Sequence, residues 1–380
     1  MDIVTILKAA VKHEASDIFI TAGRPPSLKV NGKLATLSQT ALTDNEARDL
    51  VISTMNDQQK KTFERDKECN YGIATSSAGR FRVSALYQRN KVAMVMRRIV
   101  DEIPTIESLH MPDIIKELSM TKRGLVIFVG ATGSGKSTTL AAMIGYRNKN
   151  STGHILTIED PIEFDHKHDG CVVTQREVGI DTESYDIALK NSLRQAPDVI
   201  MIGEIRTRET MDYGITFSET GHLCLSTLHA NNANQAMDRI INFFPEERHK
   251  QLFLDLSLNL KAVVAQRLIP KKDGTGRAVA VEVLLNTPLI GDLIEKGKVA
   301  ELKDVMKRSR ELGMQTFDQA VYDLYKAGEI TYDEALKNSD SANEVRLMIK
   351  LGAERGELAD ESGIGGLSIQ PDDDGVIGRM

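Results

Sequence analysis

Leu125-Val126-Ile127-Phe128-Val129, followed without a break by Gly130-Ala131-Thr132-Gly133-Ser134-Gly135-Lys136-Ser137, is the stretch that decides how this chain folds. Five apolar residues in a row read as a buried strand, and the next eight fit the GxxxxGK[ST] phosphate-loop pattern. A helix should come next, and Thr138 to Arg147 supplies one. Glycines keep side chains clear, so that successive backbone N–H groups and the helix N-terminus can wrap phosphate oxygens. Gly130, Ala131, Thr132, Gly133, Ser134, Gly135, Lys136, Ser137 and Thr138 are therefore the expected binding residues. Lys136 would reach the terminal phosphates as a point charge, and the Ser137 hydroxyl would join a Mg²⁺ shell. The implied ligand is a nucleoside triphosphate with its metal.

Three more clusters fall where predicted strands stop, the edge at which open parallel sheets hold ligands. Thr157-Ile158-Glu159-Asp160-Pro161-Ile162-Glu163-Phe164 concentrates three carboxylates, Glu159, Asp160 and Glu163, after one strand. Asp198-Val199-Ile200-Met201-Ile202-Gly203-Glu204 is an apolar run ending in a single acid, the Walker B plan with Glu204 in place of aspartate. Hydrolysis needs one acid to hold Mg²⁺, usually through water, and one group to orient the attacking water. Glu204 and Glu163 can divide those tasks; the strand-end position of Glu204 favours it as base, and the division stays open. His229, in Thr227-Leu228-His229-Ala230-Asn231-Asn232, is placed to hydrogen-bond a γ-phosphate and report its loss.

Farther out, Leu125 to Val129, Ile155 to Ile158, Val199 to Ile202 and Leu223 to Leu225 are short apolar runs between helical segments. That alternation describes a mainly parallel sheet covered by helices on both faces. Residues 246–269 read as one long amphipathic helical stretch, Ala278 to Leu285 as a strand, and Pro288 to Leu351 as helices broken at Gly297, Gly313 and Gly328. Upstream, residues 1–99 form a smaller α/β module: a helix from Asp2, a strand from Ser16, a hairpin turning at Asn31-Gly32, and helices over Thr43–Arg65. Two strands then alternate Phe81, Val83, Ala85, Tyr87 and Val92, Met94, Met96. A linker is expected at 100–108, the phosphate-loop domain with its C-terminal helices at 109–352, and a disordered acidic tail at 353–380.

Composition narrows the alternatives. A net charge of −6 gives no bulk attraction to nucleic acid or to an anionic membrane. Three scattered cysteines form neither a CxxC pair nor a disulfide ladder, which fits a reducing cytoplasm. Met1-Asp2-Ile3-Val4 carries an acid where a signal peptide carries lysines, and no apolar run reaches the ~18 residues of a membrane span. No Asn-Lys-x-Asp run is present to read guanine, and no basic-aromatic stripe suits a helicase.

The four clusters, in this order and spacing, resemble the secretion-type ATPase superfamily: a phosphate loop at 130–137, an Asp box at 157–164, an atypical Walker B at 198–206 and a His box at 221–232. Ser16 to Gly32 resembles the PAS-like domain of its PilT/PilU branch, the type IV pilus retraction ATPases. Tyr146–Asn150, Gly170–Gly179 and Ser341–Leu351 resemble the PilU-type members. Where the PilT type carries an Ala-Ile-Arg-Asn-Leu-Ile-Arg-Glu motif, this chain has Leu289-Ile290-Gly291-Asp292-Leu293-Ile294-Glu295-Lys296. The resemblance implies a RecA-like ATPase domain after a PAS-like domain, ATP and Mg²⁺ as ligands, and a homohexamer at the cytoplasmic face of the inner membrane. It also implies a PilT-type ATPase and a PilC-like platform protein as partners, with an accessory role in retraction. Arg82 and Arg97 match the arginines that one subunit offers to its neighbour's nucleotide. The competing reading is a nucleotide-gated, largely non-catalytic subunit that docks on a PilT-type ring.

Overall fold

A computed structural model describes residues 2–30, 32–99 and 102–354. The chain runs α1 (Ile3–Lys12), β1 (Asp17–Thr21), β2 (Ser27–Val30), β3 (Lys33–Thr36), α2 (Asp44–Ile52), α3 (Asp57–Asp66), β4 (Glu68–Thr75), β5 (Gly79–Gln88) and β6 (Lys91–Ile99). It continues with α4 (Ile114–Met120), β7 (Gly124–Val129), α5 (Lys136–Asn150), β8 (Gly153–Glu159), β9 (Cys171–Glu177), α6 (Tyr185–Ser192) and β10 (Val199–Ile202). Next come α7 (Arg208–Glu219), β11 (Leu223–Leu228), α8 (Ala233–Asn242), α9 (His249–Asn259), β12 (Leu260–Pro270) and β13 (Arg277–Leu285). The last helices are α10 (Pro288–Glu295), α11 (Leu302–Arg308), α12 (Phe317–Lys326), α13 (Tyr332–Asn338) and α14 (Ala342–Glu354).

Two compact units divide these elements: the chain up to Ile106 with Ser137–Glu204, and Glu107–Lys136 with the chain from Ile205 on. In the first, six antiparallel strands in the order β3-β2-β1-β6-β5-β4 form the sheet of the N-terminal module. Alternation explains its core. Phe81, Val83 and Ala85 of β5 and Val92, Met94 and Met96 of β6 are buried with Ile6, Leu7, Val51 and Phe63 of the helices. The helix starts are locally encoded: Thr43 and Glu46 form a capping box on α2, as do Asn56 and Gln59 on α3. Gly32 has φ +78 in the β2–β3 turn, while its expected partner Asn31 lies outside the described residues. The same unit holds three parallel strands in the order β10-β8-β9.

The second unit holds β13-β12-β7-β11, parallel except for the antiparallel β12–β13 pair. Every residue of β7, β10 and β11 is buried, as expected of strands in a parallel sheet with both faces covered. One expectation is overturned. Residues 246–269 are not a continuous helix: α9 ends at Asn259, and Leu260–Pro270 is a strand seated between β7 and β13. An apolar run such as Ala262-Val263-Val264-Ala265 satisfies either period, and pairing with two neighbours decides for strand over helix.

Gly297, Gly313 and Gly328 do break the helices that follow, with φ of +69, +90 and +73. The expected linker includes residues 100–101 and the expected tail includes 355–380, which lie outside the described residues. No described helix is long and apolar enough to cross a membrane.

Candidate functional site

Register builds the phosphate-facing edge of the second unit. β7 and β11 run parallel with Val129 opposite Leu228, so Gly130 and His229 leave their strands side by side. Gly130 has φ +152, and a Cβ there would stand 2.6 Å from the Gln266 carbonyl oxygen and 2.5 Å from Ser134 Oγ. Only glycine fits so close to backbone. Gly133, at φ +78, faces open space and needs glycine for its conformation alone.

Lys136 is buried, and its Nζ donates to the carbonyls of Gly130 at 2.8 Å and Ala131 at 3.0 Å. The cation is thus held by the loop it serves. Ser134 Oγ is buried and has no hydrogen-bond partner among the described residues, although a buried hydroxyl ordinarily finds one. A vacant donor beside a glycine cradle fits an incoming phosphate oxygen. Gly130, Ala131, His229, Asn231, Asp238 and Arg239 line the cavity in front of the loop, which measures about 430 Å³. Asn232 caps α8 by accepting from Gln235 N at 2.9 Å, which fixes the wall behind His229. His222 has a structural place instead, its Nδ1 lying 3.1 Å from Thr220 Oγ1 and 3.2 Å from the Phe217 carbonyl.

The first unit carries the acids. β8, β9 and β10 run parallel with Ile158 opposite both Ile202 and Arg176, so Glu159, Glu177 and Glu204 follow their strands to one end. Gly203 N donates to the Ile158 carbonyl at 2.8 Å, and its missing side chain would lie 3.2 Å from Glu159 Cα. Glu204 is half-buried beyond it, and Glu163 is exposed.

Glu159 is buried; it accepts from Thr157 Oγ1 at 2.6 Å and Gln175 Nε2 at 3.1 Å. Burial pushes its carboxyl up to about 7, against the pull of Thr157, Gln175 and the Glu163 backbone N–H. Glu177 Oε2 accepts from Ile162 N at 3.1 Å, and burial raises that carboxyl too, while Arg82 and Arg80 favour its charge. Two buried carboxylates therefore anchor both sides of the turn that presents Glu163.

The arginines sit on one row of the antiparallel sheet. Arg82 on β5 faces Arg97 on β6, and Arg97 faces Asp17 on β1. Arg97 Nε donates to Asp17 Oδ1 at 3.0 Å while remaining 73% exposed. Arg82 instead lines a cavity of about 540 Å³ with Glu177, Asp181 and Arg80. Arg80 pairs with Asp165 at 3.2 Å.

The structure thus gathers Gly130 to Lys136 with His229, sets Glu163 and Glu204 beside Glu159, and pairs Arg82 with Arg97. Sequence reasoning assigned no task to Glu159 or Glu177. Glu177 was hidden because β9, whose polar end Thr174-Gln175-Arg176-Glu177 masks its alternation, does not read as a strand.

Comparison with known proteins gives concordant results. The family model described as Type II/IV secretion system protein matches residues 1–336. A Pseudomonas aeruginosa protein named Type IV pilus ATPase PilU is 62% identical over 379 residues, covering 100% of this chain and 99% of that protein. Type IV pilus retractation ATPase PilT of the same organism is 41% identical over 335 residues, covering 88% of this chain and 97% of that one. Among solved structures, that of the pilus retraction motor PilT with bound ADP superposes with a TM-score of 0.87 at 39% identity, covering 92% of this chain and 100% of that chain.

Proposed function

The chain belongs to the Type II/IV secretion system protein family, on its PilT/PilU side, and from that premise we propose that it is an ATP-hydrolysing motor subunit that drives or assists type IV pilus retraction. The observation that carries the reading is the phosphate loop: a glycine cradle, a buried lysine held in reserve and a hydroxyl without a partner. A scaffold would have no chemical need for that combination.

ATP would draw the Lys136 amine from the Gly130 and Ala131 carbonyls onto its terminal phosphates, while loop N–H groups and Ser134 bind the rest. Ser137 and Glu204 would hold Mg²⁺, which supplies charge neutralisation when bound. Glu204 or Glu163 would orient the attacking water, and His229 would register loss of the γ-phosphate. In a homohexamer, Arg82 and Arg97 of one subunit would face the nucleotide of the next, so that charge developing in the transition state draws two lobes together. Those two arginines already share a row, which supports their acting as one cationic element.

Leu289 to Lys296, which departs from the motif of the PilT type, supports a PilU-like accessory task beside a PilT-type ATPase and a PilC-like platform protein. The place of action would be the cytoplasmic face of the inner membrane. Phosphate release from the purified protein tests the reading. Wild type should turn over Mg-ATP, and Glu204→Ala should lose roughly 10²–10⁴-fold in rate while still binding nucleotide. Equal background rates in both would leave a binding subunit, not a motor.

A further inference from the structure

The wall of the phosphate-facing cavity is gripped from behind by the C-terminal helices. Arg267 on β12 donates to the Asn231 carbonyl at 3.2 Å, to the Asn338 carbonyl at 2.7 Å and to Asp340 Oδ1 at 2.6 Å. Its guanidinium also lies 3.9 Å from the ring centroid of Phe317 on α12. Asp340 joins more of the same region: its Oδ2 accepts from Asn232 Nδ2 and from Lys303 Nζ of α11, both at 3.1 Å. Its backbone N–H donates to Asp318 Oδ1 at 2.8 Å. Burial opposes the charge on Asp340, yet Arg267 and Lys303 outweigh it and hold the carboxyl below its usual range.

A second buried acid repeats the link. Glu282 on β13 is 1% exposed; Oε1 accepts from Ala233 N at 2.7 Å and Oε2 from Phe317 N at 3.2 Å. Those are the first residues of α8 and α12, so one carboxylate pins two helix N-termini. α8 carries Asp238 and Arg239 into the cavity, and Asn231 lines it. Charges taken out of water cannot be left unpaired without a large penalty, so a shift of 338–341 must carry Arg267, and with it Asn231 and Asn232.

We propose that Arg267, Asp340 and Glu282 are positioning residues that couple helices α11 to α14 to the His229–Asn232 wall, so that displacing those helices retunes the phosphate-facing cavity. For its effect on turnover the proposal rests on the ATPase reading; for the mechanical link it does not.

Hydrogen exchange and kinetics on the full-length protein test it. Without nucleotide, Asp340→Asn should speed exchange in 229–235 by roughly tenfold while leaving β7 unchanged, since local opening need not spread to the core strands. With Mg-ATP, kcat should fall by roughly tenfold and KM should stay within about twofold, the pattern of lost positioning rather than lost binding. Arg267→Lys keeps the charge but loses the fork that reaches two carbonyls and a carboxylate, so it should keep the melting temperature and not kcat. Asp333→Asn, an exposed change on α13, should alter none of these. Unchanged exchange at 229–235, acceleration spread equally into β7, or full recovery of kcat in Arg267→Lys would overturn the proposal. If exchange shifts as expected but wild type shows no turnover, the coupling stands and the ATPase reading falls.

Discussion

The phosphate-loop edge of the second unit and the acidic edge of the first solve opposite problems. At the loop, β7 gives way to glycines, and its polar groups are backbone N–H groups, one hydroxyl without a partner and one amine that the Gly130 and Ala131 carbonyls hold until a ligand arrives. At the acidic edge, β8 and β9 end in carboxylates that are already engaged, and these hold the turn carrying an exposed Glu163. One edge keeps binding capacity in reserve; the other spends two buried acids to aim a third. Binding should therefore depend on the first edge and turnover on the second.

Replacing Lys136 gives the largest separation. Lys136→Ala should weaken Mg-ATP binding by on the order of 3 kcal/mol, roughly a hundredfold, because the loop itself carries no second charged donor to phosphate. Calorimetry measures it directly. Retained affinity in Lys136→Ala, together with wild-type affinity in Glu163→Gln, would erase the contrast between the edges.

The pH dependence of stability probes the acidic edge next. Glu159 has a folded-state pKa of about 7 against an ordinary 4.5, so between those values the native state keeps a proton that the unfolded chain has lost. Unfolding then releases a proton, and stability falls as pH rises from about 4.5 to about 7, levelling off above. The full shift corresponds to on the order of 3 kcal/mol. Glu282, also raised to about 7 by burial, acts in the same direction from the second unit. Glu159→Gln should flatten its share of the slope in urea titrations run at pH 5, 6 and 7. A slope unchanged in that variant would mean that Glu159 is ionised throughout.

How much of this could be read in advance differs between the edges for a physical reason. The loop is contiguous: strand, glycines, lysine and helix follow one another, so the strand–loop–helix order around Gly130 and Lys136 and the burial of β7 are legible in the sequence itself. The acidic edge is assembled by register. Glu159 and Glu204 announce themselves at strand ends, but Gln175 and Glu177 reach the Glu163 turn only because β9 lies parallel to β8, and such pairing leaves no local trace. β12 failed for a related reason, since an apolar run between a helix and a hairpin takes its period from its neighbours. Arg267, on that misread strand, was invisible as the partner of Asn231 for the same cause.

Glu177 tests whether the acidic turn is truly held from a distance. Glu177→Ala leaves the Ile162 N–H without its acceptor, a loss of about 1–2 kcal/mol, and should lower kcat with little change in KM. Steady-state kinetics beside a melting curve separates the two parts. If stability falls while kcat holds, the turn keeps its shape without the anchor and Glu163 needs no second support.

The smallest effect returns to the loop. Gly133 meets nothing within 4 Å, so Gly133→Ala adds no collision and costs only the left-handed backbone, about 1 kcal/mol. Gly130→Ala faces the same kind of restriction and also drives a methyl into the Gln266 carbonyl, which sits on a paired strand and cannot yield cheaply. Measured as Mg-ATP affinity, Gly133→Ala should therefore remain within about tenfold of wild type, and Gly130→Ala should fall well below it. Equal losses in the two variants would show that the cradle is shaped by glycine conformation throughout, and that the close approach of β12 contributes nothing to holding it open.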